Sequence, residues 1–394
     1  AAIASDNEYV RQRAVRALGG MQPVPPASIA PMIEALHDPS VRVRAAAAWS
    51  LGNAGPAAAS AIDRLIEASR DEQSEIRASA VYALAQLPVD PESLRDVLNR
   101  SLTDPDAGVR SRALDAVSLD SETAKSVLGQ LTDSLSDSEV AVRRSAARAI
   151  GSVGPEAVTS ESKLRSAFAD SDTQVRLHVV EALGKIQADD AETVVTLRSA
   201  LDDPERSVVL ATLAALQSIG KAGAPCFDEV TELLTSDTSE LRSAAIAALT
   251  KISPDDATAV PPLIKSLEDE DWAVRRDASV ALGNIGPAAK SAVPILFRML
   301  DSEEDNESAR GALRAIDDAD QEAVPVLIEG IKSDDRRRRY YAVSLLRKVG
   351  PPAQDALPAL RQMLEDDDSG RMRDFVLRAI EAIEGRADDA DNDS

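Results

Sequence analysis

At 394 residues the chain is longer than one hydrophobic core usually serves, so several domains or a repeat array is expected. It is 44% apolar but only 3% aromatic, and 67 Asp and Glu against 44 Lys and Arg leave a net charge of −23. Scarce large side chains argue against a thick core and for small-residue helices packed closely side by side.

Taken in chain order, the first element is a helix over Ser5–Leu18 with Val10-Arg11 near its start. Ser28–Leu36 reads as a short amphipathic helix, followed by Asp38 and an Ala-rich helix that begins around Val43-Arg44 and stops at Gly55-Pro56. That couple then recurs. The apolar residue before the Arg stands at Val10, Val43, Ile76, Val109, Val142, Val175, Val208, Leu241 and Val274, always 33 residues apart, and looser copies follow at Ser308, Arg338 and Met372. In each copy the first helix is short, as at Glu92–Leu102, Ala191–Leu201 and Gln354–Leu364, and several carry an early Pro (Pro31, Pro261, Pro294, Pro325, Pro358). The second helix places small or apolar residues at the anchor and four and eight beyond it, on one face. Gly-Pro at Gly55, Gly154, Gly286 and Gly350 ends it, with Gly expected as a left-handed cap.

Two charged residues keep the same period. Asp38, Asp71, Asp104, Asp137, Asp170, Asp203 and Asp269 stand five before the anchor, where a carboxylate is expected to cap the second helix. Arg11, Arg44, Arg77, Arg110, Arg143, Arg176, Arg242 and Arg275 stand one after it. Guanidinium and carboxylate at one period predict a structural Asp–Arg ladder bridging neighbouring repeats. Val209 replaces the Arg in one copy and Ser236 the Asp in the next.

Asp, Val-Arg, an Ala-rich helix, Leu-Gly and Gly-Pro together resemble the HEAT repeat, in the compact form found in phycobilisome lyases. The resemblance covers about Ser5 to Gly385. It implies an all-α, right-handed α-solenoid of about twelve 33-residue helix pairs, with the second helices lining the concave wall. Expected domains are regular repeats over 1–300, a degenerate repeat and hinge over 301–320, C-terminal repeats over 321–385, and an acidic disordered tail over 386–394. The acidic, Lys-poor composition resembles proteins of halophilic archaea. The lone Cys226 points to a reducing, cytoplasmic compartment and a monomer is expected, with no apolar run approaching membrane-spanning length. Starting partway through a repeat and without Met, the chain reads as truncated or processed, which leaves room for an upstream targeting segment.

The face opposite the core, two and six residues past the anchor, is expected to be displayed. It offers an aromatic patch, Trp49 and Tyr82, over Ala45 and Ala78. Arg144 and Arg148 follow, then an apolar zone with Leu177 and Leu210, then a basic end with Arg276, Arg310, Arg314, Tyr340 and Arg378. In a chain of net −23, clustered Arg on one wall suggests a groove for a carboxylate- or phosphate-bearing partner. No catalytic residue, cofactor or metal is expected: His37 and His178 lie in different repeats and lack the paired His-Glu motifs of HEAT-repeat hydroxylases. The leading reading is a scaffold for a protein or peptide. HEAT-like DNA glycosylases, whose cleft residue types are matched by Trp49, Asp115 and Arg144, give a nucleic-acid alternative that the net charge disfavours. Phycobilin lyases give a second alternative, resting on scaffold residues alone.

Overall fold

A computed structural model of the chain describes residues 2–253, 256–366 and 370–386. From 387 onward the expected acidic tail lies outside them. No strand occurs among the described residues, and the chain divides into two compact units, 1–219 and 220–394.

In the first unit the second helices are α1 (Glu8–Gly19), α2 (Val41–Ala54), α3 (Ser74–Gln86), α4 (Ala107–Val117), α5 (Val140–Val153), α6 (Thr173–Lys185) and α7 (Arg206–Ile219). Each packs along the next. The second unit contains α8 (Ser239–Ile252), α9 (Trp272–Ile285), α10 (Asn306–Ile316), α11 (Arg336–Val349) and α12 (Gly370–Ile383). There α8 packs on α9, α9 on α10 and α11 on α12, whereas backbone contact between α10 and α11 is sparse.

The anchor face forms the core: Val43, Ala47 and Leu51, and likewise Val274, Ala278 and Leu282, are fully buried. Val10 is an exception, 42% exposed. First helices are brief, such as Ile62–Ala68 and Glu161–Ala167, and are entered through 3-10 turns opened by Pro56 and Pro155. The glycine before that Pro departs from the expected left-handed cap. Gly55 (φ 56°, ψ −142°) and Gly286 (φ 73°, ψ −140°) share the positive φ, but their ψ puts them in a region essentially closed to any side chain.

A second glycine position sets how closely second helices approach. A Cβ built on Gly52 would lie 2.8 Å from Ala83 Cα, one on Gly184 2.8 Å from Ala215 Cα, and one on Gly283 3.1 Å from Ala312 Cα. Glycine on one helix against alanine on the next lets the backbones nearly touch. That is how a chain poor in large side chains keeps interior packing density.

The period-33 charges form rungs between neighbouring repeats where both partners are present, a series that Val209 and Ser236 interrupt. Arg11 grips Asp38 through Nε (2.6 Å) and Nη2 (2.8 Å), and Arg77–Asp104, Arg110–Asp137, Arg143–Asp170, Arg176–Asp203 and Arg242–Asp269 repeat the two-pronged geometry. Arg44 reaches Asp71 by Nε alone, at 3.3 Å. The Asp does not cap its helix as expected. Asp38 sits two residues ahead of the N-cap position and accepts the N–H of Ser40, as Asp71 does from Gln73. Where a carboxylate does cap, it belongs to Asp106, Asp172, Asp271 or Asp335.

Each Arg also donates Nη1 to a carbonyl in the turn preceding its own helix: Arg44 to Asp38 O at 2.8 Å and Arg176 to Asp170 O at 3.1 Å. This second bond needs no Asp side chain, so Arg242 makes it to Ser236 O (2.9 Å) and Arg339 to Ser333 O (2.7 Å). The degenerate segment 301–320 also supplies a rung. Arg275 pairs with buried Asp305 at 2.9 Å and with Glu304 at 3.1 Å, three residues later in register than elsewhere.

The pairs carry a pH signature. Hydrogen bonds from Arg11 and Arg143 hold Asp38 and Asp170 below the ordinary carboxylate range, and Arg144 holds Asp172 at about 2. A carboxylate with a depressed folded pKa stabilises the fold above its unfolded value of about 3.9, and that stability is lost as pH falls through the folded value. The stability difference between wild type and Arg144→Ala should therefore be full near neutrality and shrink between about pH 4 and pH 2. Urea unfolding of both proteins across that window measures it; a pH-independent difference would refute the linkage.

Two stretches run against the expectation that nothing approaches membrane-spanning length. Arg206–Thr235 and Trp272–Met299 are long enough, and each holds an 18-residue window of mean hydropathy 1.3. Each is a helix followed by a turn at a positive-φ glycine, Gly220 (58°) or Gly286 (73°), and then a short further helix.

Candidate functional site

The face two and six residues past the anchor is displayed only in part. Ala45 was expected on the surface and is instead buried at 3%, because α2 contacts α1 and α3 over a wide arc. Trp49 is 40% exposed beside half-buried Tyr82, and with Glu75, Ala78 and Arg112 they line a hollow of about 280 Å³. The Tyr82 hydroxyl donates to Asn53 Oδ1 at 2.9 Å, and the Arg112 guanidinium stands 5.7 Å from its ring. Leu177 and Leu210 are half-buried.

The arginines differ in what they face. Arg144 forks onto Asp172, with Nε 2.8 Å from Oδ1, and Arg148 donates to Asp115 Oδ1 at 2.5 Å. Arg276 pairs with Asp277 and lies 5.3 Å from the Trp272 ring centroid. These three are neutralised within the fold by Asp172, Asp115 and Asp277, and spacing alone does not say which carboxylate each Arg reaches. Arg378 is exposed on α12.

Arg310, Arg314 and Tyr340 are brought together where α10 and α11 stand apart. A groove of about 580 Å³ opens there, with Arg310 and Arg314 from α10, Arg336 and Arg337 from the first turn of α11, and a floor from α11 and α12. Tyr340 is 50% exposed and stacks on Phe375, ring centroids 4.5 Å apart and planes 8° from parallel; Tyr341 meets Tyr340 edge-on at 6.4 Å. Met372 completes the floor. Arg310 donates to Asn306 Oδ1. Among the described residues, the side chains of Arg314, Arg336 and Arg337 have no hydrogen-bond or ion-pair partner. Carboxylates nearby in sequence include Asp335, which accepts the Arg337 backbone N–H at 2.8 Å, and exposed Glu307 and Asp374.

Neighbouring Arg338 serves the core instead. Its guanidinium lies 5.1 Å from the Phe297 ring centroid and reaches Asp301, and burial lowers its pKa. Phe375, Tyr341 and Met372 join the site without being expected from the repeat register. Phe375 and Tyr341 lie one residue beyond the displayed column, and Met372 is an anchor residue. The Tyr340-Tyr341 pair next to an Arg run could have signalled Tyr341; no local signal marks Phe375 or Met372.

Elsewhere, a hollow of about 610 Å³ opens among the turns around Asp38 and Asp71, but Arg44 already occupies its polar groups. His178 Nδ1 lies 3.2 Å from Glu181 Oε2. Among the described residues no group of three or more His, Cys, Asp or Glu is disposed to hold a metal ion.

Stacked helix pairs joined by Gly/Ala contacts and Arg–Asp rungs define an all-α helical-repeat solenoid protein. A family model described as HEAT repeats matches residues 1–85, 29–118, 128–217, 161–250, 227–317 and 302–381, and the chain belongs to the HEAT-repeat family. Among solved structures it is similar to an engineered protein, with 22% identity and a TM-score of 0.55 over 80% of this chain and 97% of that one. It is also similar to a chain from work on a conserved phosphorylation switch controlling the interaction between cadherin and beta-catenin, with 12% identity and a TM-score of 0.53 over 98% of each. These likenesses concern the fold. No curated protein matches the chain.

Proposed function

We propose that this chain is a non-enzymatic scaffold that binds a protein or peptide partner along the wall formed by its second helices. The observation that carries the reading is the contrast among wall arginines. Arg144, Arg148 and Arg276 are paired within the fold, while Arg314, Arg336 and Arg337 face an open groove beside exposed aromatic surface. Exposed aromatic surface rimmed by charge that has no partner within the fold has the composition of a recognition site. The Lys-poor surface of net −23 supports a salt-adapted member of the family.

A photo-crosslinking amino acid placed singly at wall positions Trp49, Leu177 and Arg314, and at first-helix positions Glu67 and Glu329, tests this in extracts at high salt. Partner adducts should form from the wall positions and not from the first-helix ones. Equal labelling of both sets, or adducts to nucleic acid in place of protein, would overturn the reading.

A further inference from the structure

The groove between α10 and α11 allows the partner's chemistry to be narrowed. Its cations are rooted at separate points on two helices. Arg310 and Arg314 lie one helical turn apart on α10, about 6 Å, and Arg336 and Arg337 each stand one turn ahead of a tyrosine on α11. A single phosphate is best held where several guanidiniums and free backbone N–H groups meet. Here Asp335 occupies the N-terminal amide of α11, and its own negative charge sits where a phosphate would bind. The arrangement suits several carboxylates spaced along a strand of peptide.

The same groove is lined by the Tyr340–Phe375 stack, with Tyr340 half exposed, and by Met372. An aromatic side chain laid on such a floor gains offset stacking as well as apolar burial. A volume of about 580 Å³ holds one aromatic side chain with its flanking backbone.

Resting on the scaffold reading above, we propose that this groove binds an acidic peptide segment carrying one aromatic residue between carboxylates. The ring lies on the Tyr340–Phe375 floor, and the flanking carboxylates reach Arg314, Arg336 and Arg337. Placing this site on an otherwise acidic molecule makes recognition local: a segment is repelled by the rest of the surface and held only where the guanidiniums stand within a Debye length.

The test is fluorescence anisotropy on the full chain with a short labelled peptide, one Phe between pairs of Asp and Glu. Saturable binding that weakens as salt is raised is expected. Arg314→Glu and Arg337→Glu should each weaken it about tenfold or more, as should Phe→Ala in the peptide and Tyr340→Ser in the protein. Arg16→Glu, which makes the same charge change on the exposed face of α1, should leave it unchanged, and far-UV circular dichroism should show all four variants folded. Three results would overturn the proposal: no effect of the groove variants, equal binding of the Phe→Ala peptide, or displacement of the peptide by inorganic phosphate or single-stranded DNA at matched ionic strength. If the peptide fails while wall crosslinks to protein persist, this proposal falls and the scaffold reading stands; if the crosslinks fail as well, both fall.

Discussion

Gly184→Ala should destabilise the first unit although alanine is the better helix former, while the same change at Gly129 should stabilise it. Replacing glycine by alanine inside a helix gains about 0.5–1 kcal/mol when the new methyl meets nothing. At Gly129, in the first turn of the helix Leu128–Ser134, a Cβ has nothing within 4 Å, so a gain at the low end of that range should appear. At Gly184 the Cβ would stand 2.8 Å from Ala215 Cα and 2.9 Å from Ala215 Cβ. The obstacle is backbone on a packed helix and cannot rotate away, so α6 and α7 must separate. Over-packing of this kind costs about 1–3 kcal/mol, which exceeds the propensity gain, and Gly184→Val should cost more still. Because repeat arrays store stability in neighbour interfaces, the damage should stay local. Hydrogen exchange should report lost protection in α6 and α7 with α1 and α2 little changed, alongside a lower urea midpoint. A Gly184→Ala protein as stable as wild type would show that the backbones are less closely apposed than the geometry requires.

That contact illustrates what was legible in the chain and what was not. The period, the helix pairs, the buried anchor face and the Arg–Asp pairing all follow from single positions repeated every 33 residues, and repetition lets a weak local signal be averaged. Ala45 was misread because the width of a buried face depends on how near the neighbouring helix comes, and that is set by Gly52 on Ala83, a pair separated by one repeat. The capping role given to Asp38 failed for a related reason. A carboxylate beside a helix start has two uses, and the bidentate hold of Arg11 decides between them. At the groove, Arg310, Arg314 and Tyr340 could be named from spacing. Its opening could not, since it depends on the loose register between Ser308 and Arg338 that leaves α10 and α11 apart. Nor could Phe375 be paired with Tyr340, which lies 35 positions earlier on another helix.

Removing one ladder arginine should cost more than removing its aspartate, and Arg176 is where the asymmetry should be largest. Arg176 donates Nε and Nη2 to Asp203 at 2.7 and 3.0 Å, and Nη1 to the carbonyls of Asp170 and Ser171 at 3.1 and 3.3 Å. Asp203 has a side chain only 4% exposed and also accepts the Glu205 N–H at 2.9 Å. Burial pushes its pKa upward, but Arg176 and that N–H outweigh the effect and leave it below the ordinary value. Arg176→Ala would strand a buried carboxylate and free two turn carbonyls together, a loss of about 3 kcal/mol given that the arginine itself keeps some solvent contact. Asp203→Asn keeps an oxygen for the guanidinium and for Glu205, and leaves the carbonyl bonds intact, so about 1–2 kcal/mol is expected. Arg176→Lys should resemble the alanine variant more than wild type, because one ammonium cannot serve both repeats in the fork geometry. Urea unfolding of Arg176→Ala, Asp203→Ala and the double variant supplies the decisive quantity. A coupling of about 1.5 kcal/mol or more is expected, and it should diminish as acid protonates Asp203 below about pH 4. Coupling near zero at neutral pH would mean that the rungs merely accompany the stacking, and that the Gly/Ala contacts alone set the spacing of the repeats.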